Sequence, residues 1–177
     1  MAASLFLLLA VILAFTGGAG PWVLGATVVL AAAAGTRLPD LDTPLRLGHR
    51  SALIHSVLPA LVAMLDVRTW PVAAGLGLGI GLHLAADLFP GSMRGYATIK
   101  LPLGGSIGVW PSYLWIAAHA AGNLIGGTLL LERIADRPVA VGALAASGVV
   151  GLAYLVRAQG GLCALALLGT IGWFLHR

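Results

Sequence analysis

Charge is scarce in this sequence. Asp, Glu, Lys and Arg make up 9% of its 177 residues, against about 25% in an ordinary soluble domain. That scarcity excludes a conventional globular enzyme and a disordered tail, because the chain is 59% hydrophobic with a mean hydropathy of +0.99. Cysteine is nearly absent too. The single Cys163 lies in an apolar run, so neither a disulfide framework nor a thiolate zinc site is available. Clustered basic residues are also missing. The net charge is +4, but the ten Lys and Arg are scattered, whereas a nucleic-acid footprint needs them on one face. No nucleic-acid partner is expected.

What remains is long apolar runs and 25 glycines, the material of closely packed membrane helices rather than of flexible linkers. The runs cover about 3–16, 21–35, 51–65, 72–88, 112–131, 139–156 and 162–175. No alternation of polar and apolar residues suggests a closed barrel, so the expectation is an all-α, polytopic transmembrane bundle of six to seven helices. It forms one domain over 1–177, with no internal repeat. The first run resembles a signal peptide but has no basic segment before it, and it is read as a retained helix. The first three runs are short against the roughly 20 residues of a full span, which implies tilt, kinks or re-entry. Six helices result if 1–35 forms a hairpin that does not fully cross. Gly75, Gly77, Gly79 and Gly81 read as a helix-packing series rather than a phosphate loop. Trp110, Tyr113 and Trp115 read as an interfacial aromatic belt.

The few ionisable groups are unevenly placed. Asp40 and Asp42 precede the third run, and His49 and His55 lie at its start. His83 and Asp87 lie near the end of the fourth run, and His119 near the start of the fifth. With alternating helices these seven groups, of eleven acids and histidines in the chain, converge on one end of the bundle. His83 and Asp87 are four apart and share a helical face. Ionisable groups inside apolar helices are costly and mark functional sites by default. Asp66, Glu132 and Asp136 lie at the opposite end beside Arg68, Arg133 and Arg137, where solvated pairs are expected.

A nitrogen and oxygen donor set without sulfur suits zinc first, with manganese or iron as the other candidates. Seven groups suffice for two ions, the usual arrangement for phosphoester hydrolysis. Arg50 and Arg94, with Lys100 on the same face, then suit stabilisation of phosphate charge, with interfacial snorkelling the alternative for Arg94 and Lys100.

The ordered blocks LPDLD, HRSALIHS and GLHLAADLFPG resemble the LexA-binding family of inner-membrane metal-dependent hydrolases, over residues 37–100. The block of His83, Asp87 and Pro90 is also similar to part of the zinc phospholipase C and single-strand nuclease superfamily. The resemblance implies that Asp40, Asp42, His49, His55, His83 and Asp87 hold one to three divalent ions. This chain departs from the family pattern at Thr43, where a His is usual, and at Ser51 and Ile54, where Gly and Thr are usual.

The expected function is a membrane-embedded hydrolase in which metal-activated water attacks a phosphoester of a lipid or other amphiphile. Arg50, Arg94 and His119 are the candidate catalytic residues, with an Asp or His free of metal as general acid. The alternatives are an ion or proton transporter with His83, Asp87 and His119 in its path, and a non-catalytic regulatory membrane protein. Six basic residues at the motif end against four at the other place that end at the cytoplasmic face of the inner membrane.

Overall fold

The structure is a computed structural model and describes residues 2–18 and 20–177. It is all-helical, with seven α-helices among the described residues. They are α1 (Ala2–Thr16), α2 (Pro21–Gly35), α3 (Leu58–Ala63), α4 (Trp70–Asp87), α5 (Val109–Ile134), α6 (Arg137–Leu155) and α7 (Gly161–Leu175). Between α4 and α5 a small antiparallel hairpin pairs β1 (Lys100–Leu101) with β2 (Gly105–Ser106). Proline opens α2, α3, α4 and α6, at positions where its missing N–H has no intrahelical partner to lose.

Helix α4 is the axis of the fold. Val72 to Gly81 are all buried, and the helix packs against α2 on one side and α5 on the other, with α3, α6 and α7 completing the surround. Its glycine series explains how. A Cβ on Gly75 or Gly79 would strike the backbone of α2, at Val28 and Ala32 or at Ala32 and Gly35. A Cβ on Gly77 would lie 2.9 Å from the Asn123 carbonyl of α5 and 3.1 Å from the Gly127 Cα, and one on Gly81 would meet Leu124. Glycines four apart line one face, and the two pairs are offset by two residues, so they admit close neighbours on nearly opposite faces. The series serves helix packing, as its spacing predicts.

The third run is the main correction. Its composition predicts a helix over 51–65, but only Leu58–Ala63 is helical. The chain still travels from the Asp87 end of α4 to its Trp70 end: His55 lies beside Asp87, and the Trp70 indole N–H donates to the Met64 carbonyl. Most of that passage is turns. Ser51 to Ser56 form local hydrogen bonds, and the Trp115 indole and the Asn123 amide of α5 donate to the His55 and Ser56 carbonyls. Irregular backbone is tolerable where neighbouring protein satisfies it in this way. The convergence of the motif residues on one end survives, because α2 and α4 both finish there.

Val67–Asp87, Val109–Ile134 and Arg137–Leu155 are long and apolar enough to cross a membrane, and α1, α2 and α7 are shorter apolar helices. At the other end of the bundle, Asp66 pairs with Arg68 at 2.7 Å, and this pairing holds the Asp66 carboxyl below its ordinary range. Glu132 and Asp136 form no such pair among the described residues. Arg133 lies over the Trp70 ring instead. Trp110 is well exposed, as a belt residue would be, whereas Trp115 is partly buried and holds the His55 carbonyl.

Candidate metal centre

Three side chains meet where α4 ends. His83 and Asp87 come from one face of α4, and His55 comes from the irregular segment ahead of α3. Asp87 Oδ2 is 3.5 Å from His55 Nε2 and 3.5 Å from His83 Nε2. The two imidazoles stand edge to face, with centroids 5.6 Å apart. Both histidines are buried, at 1% and 3% exposure.

The hydrogen bonding of His83 fixes its proton. Its Nδ1 is 3.0 Å from the Thr36 carbonyl, which can only accept, so Nδ1–H donates there. The Tyr154 hydroxyl, reaching in from α6, is 2.9 Å from the same nitrogen. In the neutral imidazole with its proton on Nδ1, Nε2 presents its lone pair to a carboxylate oxygen. Two acceptors facing each other at 3.5 Å repel unless a cation lies between them. Asp87 Oδ2 is buried and has no hydrogen-bond partner among the described residues. Zinc bound to nitrogen and oxygen at about 2.0–2.1 Å separates its tetrahedral donors by about 3.3 Å, close to the two nitrogen–oxygen distances of 3.5 Å here. These three atoms fit a divalent ion.

Around them lies a second layer. Asp42 is fully buried and accepts from the backbone N–H groups of Arg50 and Ser51. Its carboxylate is 3.8 Å from His55 Nδ1, which is buried and unpartnered among the described residues, and 3.9 Å from His49 Nδ1. Asp40 is exposed, with Oδ1 3.9 Å from His83 Nε2. His49 stacks on Tyr96 at 4.0 Å between centroids. Burial holds its imidazole below the ordinary histidine range and Asp42 partly opposes this, so it stays neutral and able to ligate near pH 7.

Arg50 is held by its backbone as much as by its side chain. It adopts a left-handed conformation, φ 57°, which costs a non-glycine residue about 1–2 kcal/mol. The offsetting contacts are specific. Its N–H meets Asp42, its carbonyl accepts from the Lys100 N–H, and its guanidinium donates to Asp87 Oδ1 and to the Ala97 carbonyl, each at 2.7 Å. Arg50 thus braces Asp87 from behind, leaving Oδ2 free. Lys100 is braced likewise, its Nζ donating to the carbonyls of His49, Tyr96 and Thr98. Desolvation lowers its pKa.

All six expected ligand positions therefore lie at one end of the fold. His55, His83 and Asp87 form the tight group, and Asp42, His49 and Asp40 surround it. Two expected catalytic residues stand apart. His119 stacks on Trp115 and its Nδ1 is 2.8 Å from the Trp115 carbonyl one turn back, with no polar contact to the cluster among the described residues. Arg94 is exposed and its side chain makes no hydrogen bond or ion pair among the described residues. Replacing His119 with Ala is therefore expected to leave metal content at the wild-type level, measured by elemental analysis.

Sequence reasoning misses Thr36 and Tyr154. Nothing in RLPDLD marks a carbonyl one residue upstream as a ligand orienter. Tyr154 offers one signal, a hydroxyl inside an apolar run, since a buried tyrosine usually finds a polar partner. Tyr154→Phe removes a hydrogen-bond partner of a candidate ligand while keeping the ring, and should weaken metal binding by roughly 10-fold, measured by chelator competition. None of the protein-family models, curated proteins or solved structures compared with this chain matches it.

Proposed function

We propose that the chain is an integral-membrane, metal-dependent hydrolase that cleaves a phosphoester of an amphiphile at the membrane interface. One observation carries this reading: the buried, unpartnered Asp87 Oδ2 faces two imidazole nitrogens at 3.5 Å among the described residues. His55, His83 and Asp87 would hold the ion, and Asp42, His49 and Asp40 are the neighbouring donors for a second. A divalent ion there lowers the pKa of bound water to near neutrality, giving a nucleophile at physiological pH.

The protein's own groups do the positioning. Thr36 and Tyr154 hold the His83 tautomer, and Arg50 orients Asp87. Arg94, exposed and unpaired among the described residues, would be free to meet a substrate phosphate. The polar end of a helical bundle fits a substrate whose head group lies at the interface. Arg37, Arg46, Arg50, Arg94, Lys100 and Arg157 at this end, against Arg68, Arg133, Arg137 and Arg177 at the other, support a cytoplasmic orientation. A transport path is less well supported, since α4 from Trp70 to Leu82 carries no ionisable residue and His119 bonds within its own helix.

The test is turnover. Chelated protein should be inactive on phospholipid and polyprenyl phosphoesters, and zinc or manganese should restore release of the head group or phosphate. Hydrolysis that survives complete metal removal would sink the proposal.

A further inference from the structure

The connection between α4 and α5 carries a small projection. Its root is fixed. Ile99 is fully buried, its carbonyl accepts from the Ile107 N–H, and the Thr98 and Ser106 hydroxyls meet at 2.7 Å. Its tip is apolar and bare. Leu101, Pro102 and Leu103 are exposed, Leu103 completely, where the chain turns from β1 to β2. A second apolar turn lies beside it. Leu45 and Leu47 flank Arg46 and are exposed, and a Cβ on the following Gly48 would stand 3.7 Å from Lys100 Cδ of β1. Exposed leucines are ordinary when scattered, but four on two adjacent turns make a patch.

Two observations point to what covers this patch. The first is continuity with a helix surface. Only Ile107 and Gly108 separate β2 from α5, which is long and apolar enough to cross a membrane. Trp110 and Leu114, one turn apart at the start of α5, are both well exposed. The hairpin therefore stands at the end of that candidate span, beside an apolar outer face. The second is charge. Residues 91–111 contain Arg94 and Lys100 and no acid. Arg46 and Arg94 are exposed, whereas Asp42 is buried and Asp87 pairs with Arg50, which leaves Asp40 as the exposed acid at this end among the described residues. Apolar tips flanked by free cations fit an anionic lipid surface, where leucines enter between head groups and arginines meet phosphates. We propose that the β1–β2 tip and the Leu45–Leu47 turn insert into the head-group layer of the leaflet around them and favour anionic lipid there. The insertion is shallow, because the edges of a two-stranded hairpin need water for their backbone groups. It also bears on the site. The Lys100 N–H donates to the Arg50 carbonyl and its carbonyl accepts from the Ala52 N–H, so β1 is zipped to the loop that leads to His55. Immersion of the tip holds that loop at head-group depth. This contact goes beyond the hydrolase reading and requires no bound metal.

Leu103 allows a test that leaves the fold undisturbed, since a fully exposed side chain packs against nothing. Leu103→Cys is made in a Cys163→Ser background, because Cys163 is exposed and would react as well. The full-length protein, carrying a nitroxide at position 103, is reconstituted into vesicles of phosphatidylcholine alone or mixed equally with phosphatidylglycerol. Electron paramagnetic resonance then measures collisions of the label with oxygen, which concentrates in lipid, and with a neutral nickel chelate, which stays in water. In the anionic vesicles oxygen should dominate and place the label about 5–10 Å deep, at the boundary of head groups and acyl chains. Asn tolerates the left-handed backbone of Arg46, φ 57°, so Arg46→Asn removes the charge without a change of turn. It should shrink the immersed population about fivefold in the anionic vesicles, the factor that one cation at such a surface supplies. Collisions dominated by the nickel chelate would put the tip in water, and few collisions with either reagent would put it under protein, a second copy of the chain included. Either result would overturn the assignment. Equal immersion in the two kinds of vesicle would overturn the preference for anionic lipid.

Discussion

His83→Ala is expected to lower metal affinity by well over about 100-fold, because loss of even an outer partner of a ligand typically costs roughly 10–100-fold. Elemental analysis of purified protein after zinc reconstitution should fall from stoichiometric to background. His83 is the better choice over Asp87. Removing Asp87 would leave the buried Arg50 guanidinium without its carboxylate, and breaking such a pair costs on the order of 3 kcal/mol. A collapse of the fold would then be confused with a loss of ligand. Alanine at His83 removes an imidazole instead and leaves the Arg50–Asp87 pair in place. Retention of full metal content by His83→Ala would refute the ligand assignment.

The second large effect concerns the fold. Gly79→Val places a Cβ against the Ala32 carbonyl, 2.8 Å from the Gly35 Cα and 2.9 Å from the Thr36 nitrogen. All three are backbone atoms of the α2 end and none can swing aside, so the helices must separate. Overpacking costs about 1–3 kcal/mol where side chains can adjust, and should reach or pass the upper figure here. The same displacement moves the Thr36 carbonyl away from His83 Nδ1. We expect Gly79→Val to show a strongly lowered unfolding temperature and weakened metal binding together. Gly126→Ala provides the contrast. Its Cβ points into open space, and replacing glycine in a helix interior gains about 0.5–1 kcal/mol. Wild-type stability in Gly79→Val would contradict the packing described for α4.

Much of this is legible in the sequence because ionisable residues are so few. In a chain with six acids and five histidines, helix counting alone brings seven of them to one end. The i, i+4 spacing of His83 and Asp87 is enough to put both on one face of a helix. The glycine series is legible for a similar reason, since small residues four apart serve little other purpose in an apolar helix.

What is not legible has physical causes. The apolar run 51–65 has the composition of a helix, and composition does not reveal that Trp115 and Asn123 satisfy its backbone from outside. Arg50 offers a guanidinium for phosphate, but its left-handed backbone depends on contacts with Asp42 in the preceding turn segment and with Lys100, distant in sequence. His119 shares the right end of the bundle with the cluster. Which way a side chain faces around a helix decides whether it joins, and His119 faces Trp115 on its own helix.

The most direct test of the central claim is anomalous diffraction from crystals of the zinc-, manganese- or iron-reconstituted protein, recorded on both sides of the metal's absorption edge. The account predicts an anomalous peak between His55 Nε2, His83 Nε2 and Asp87 Oδ2, at bonding distance from all three. A fully reconstituted crystal with no peak there, or with metal bound only elsewhere, would contradict it.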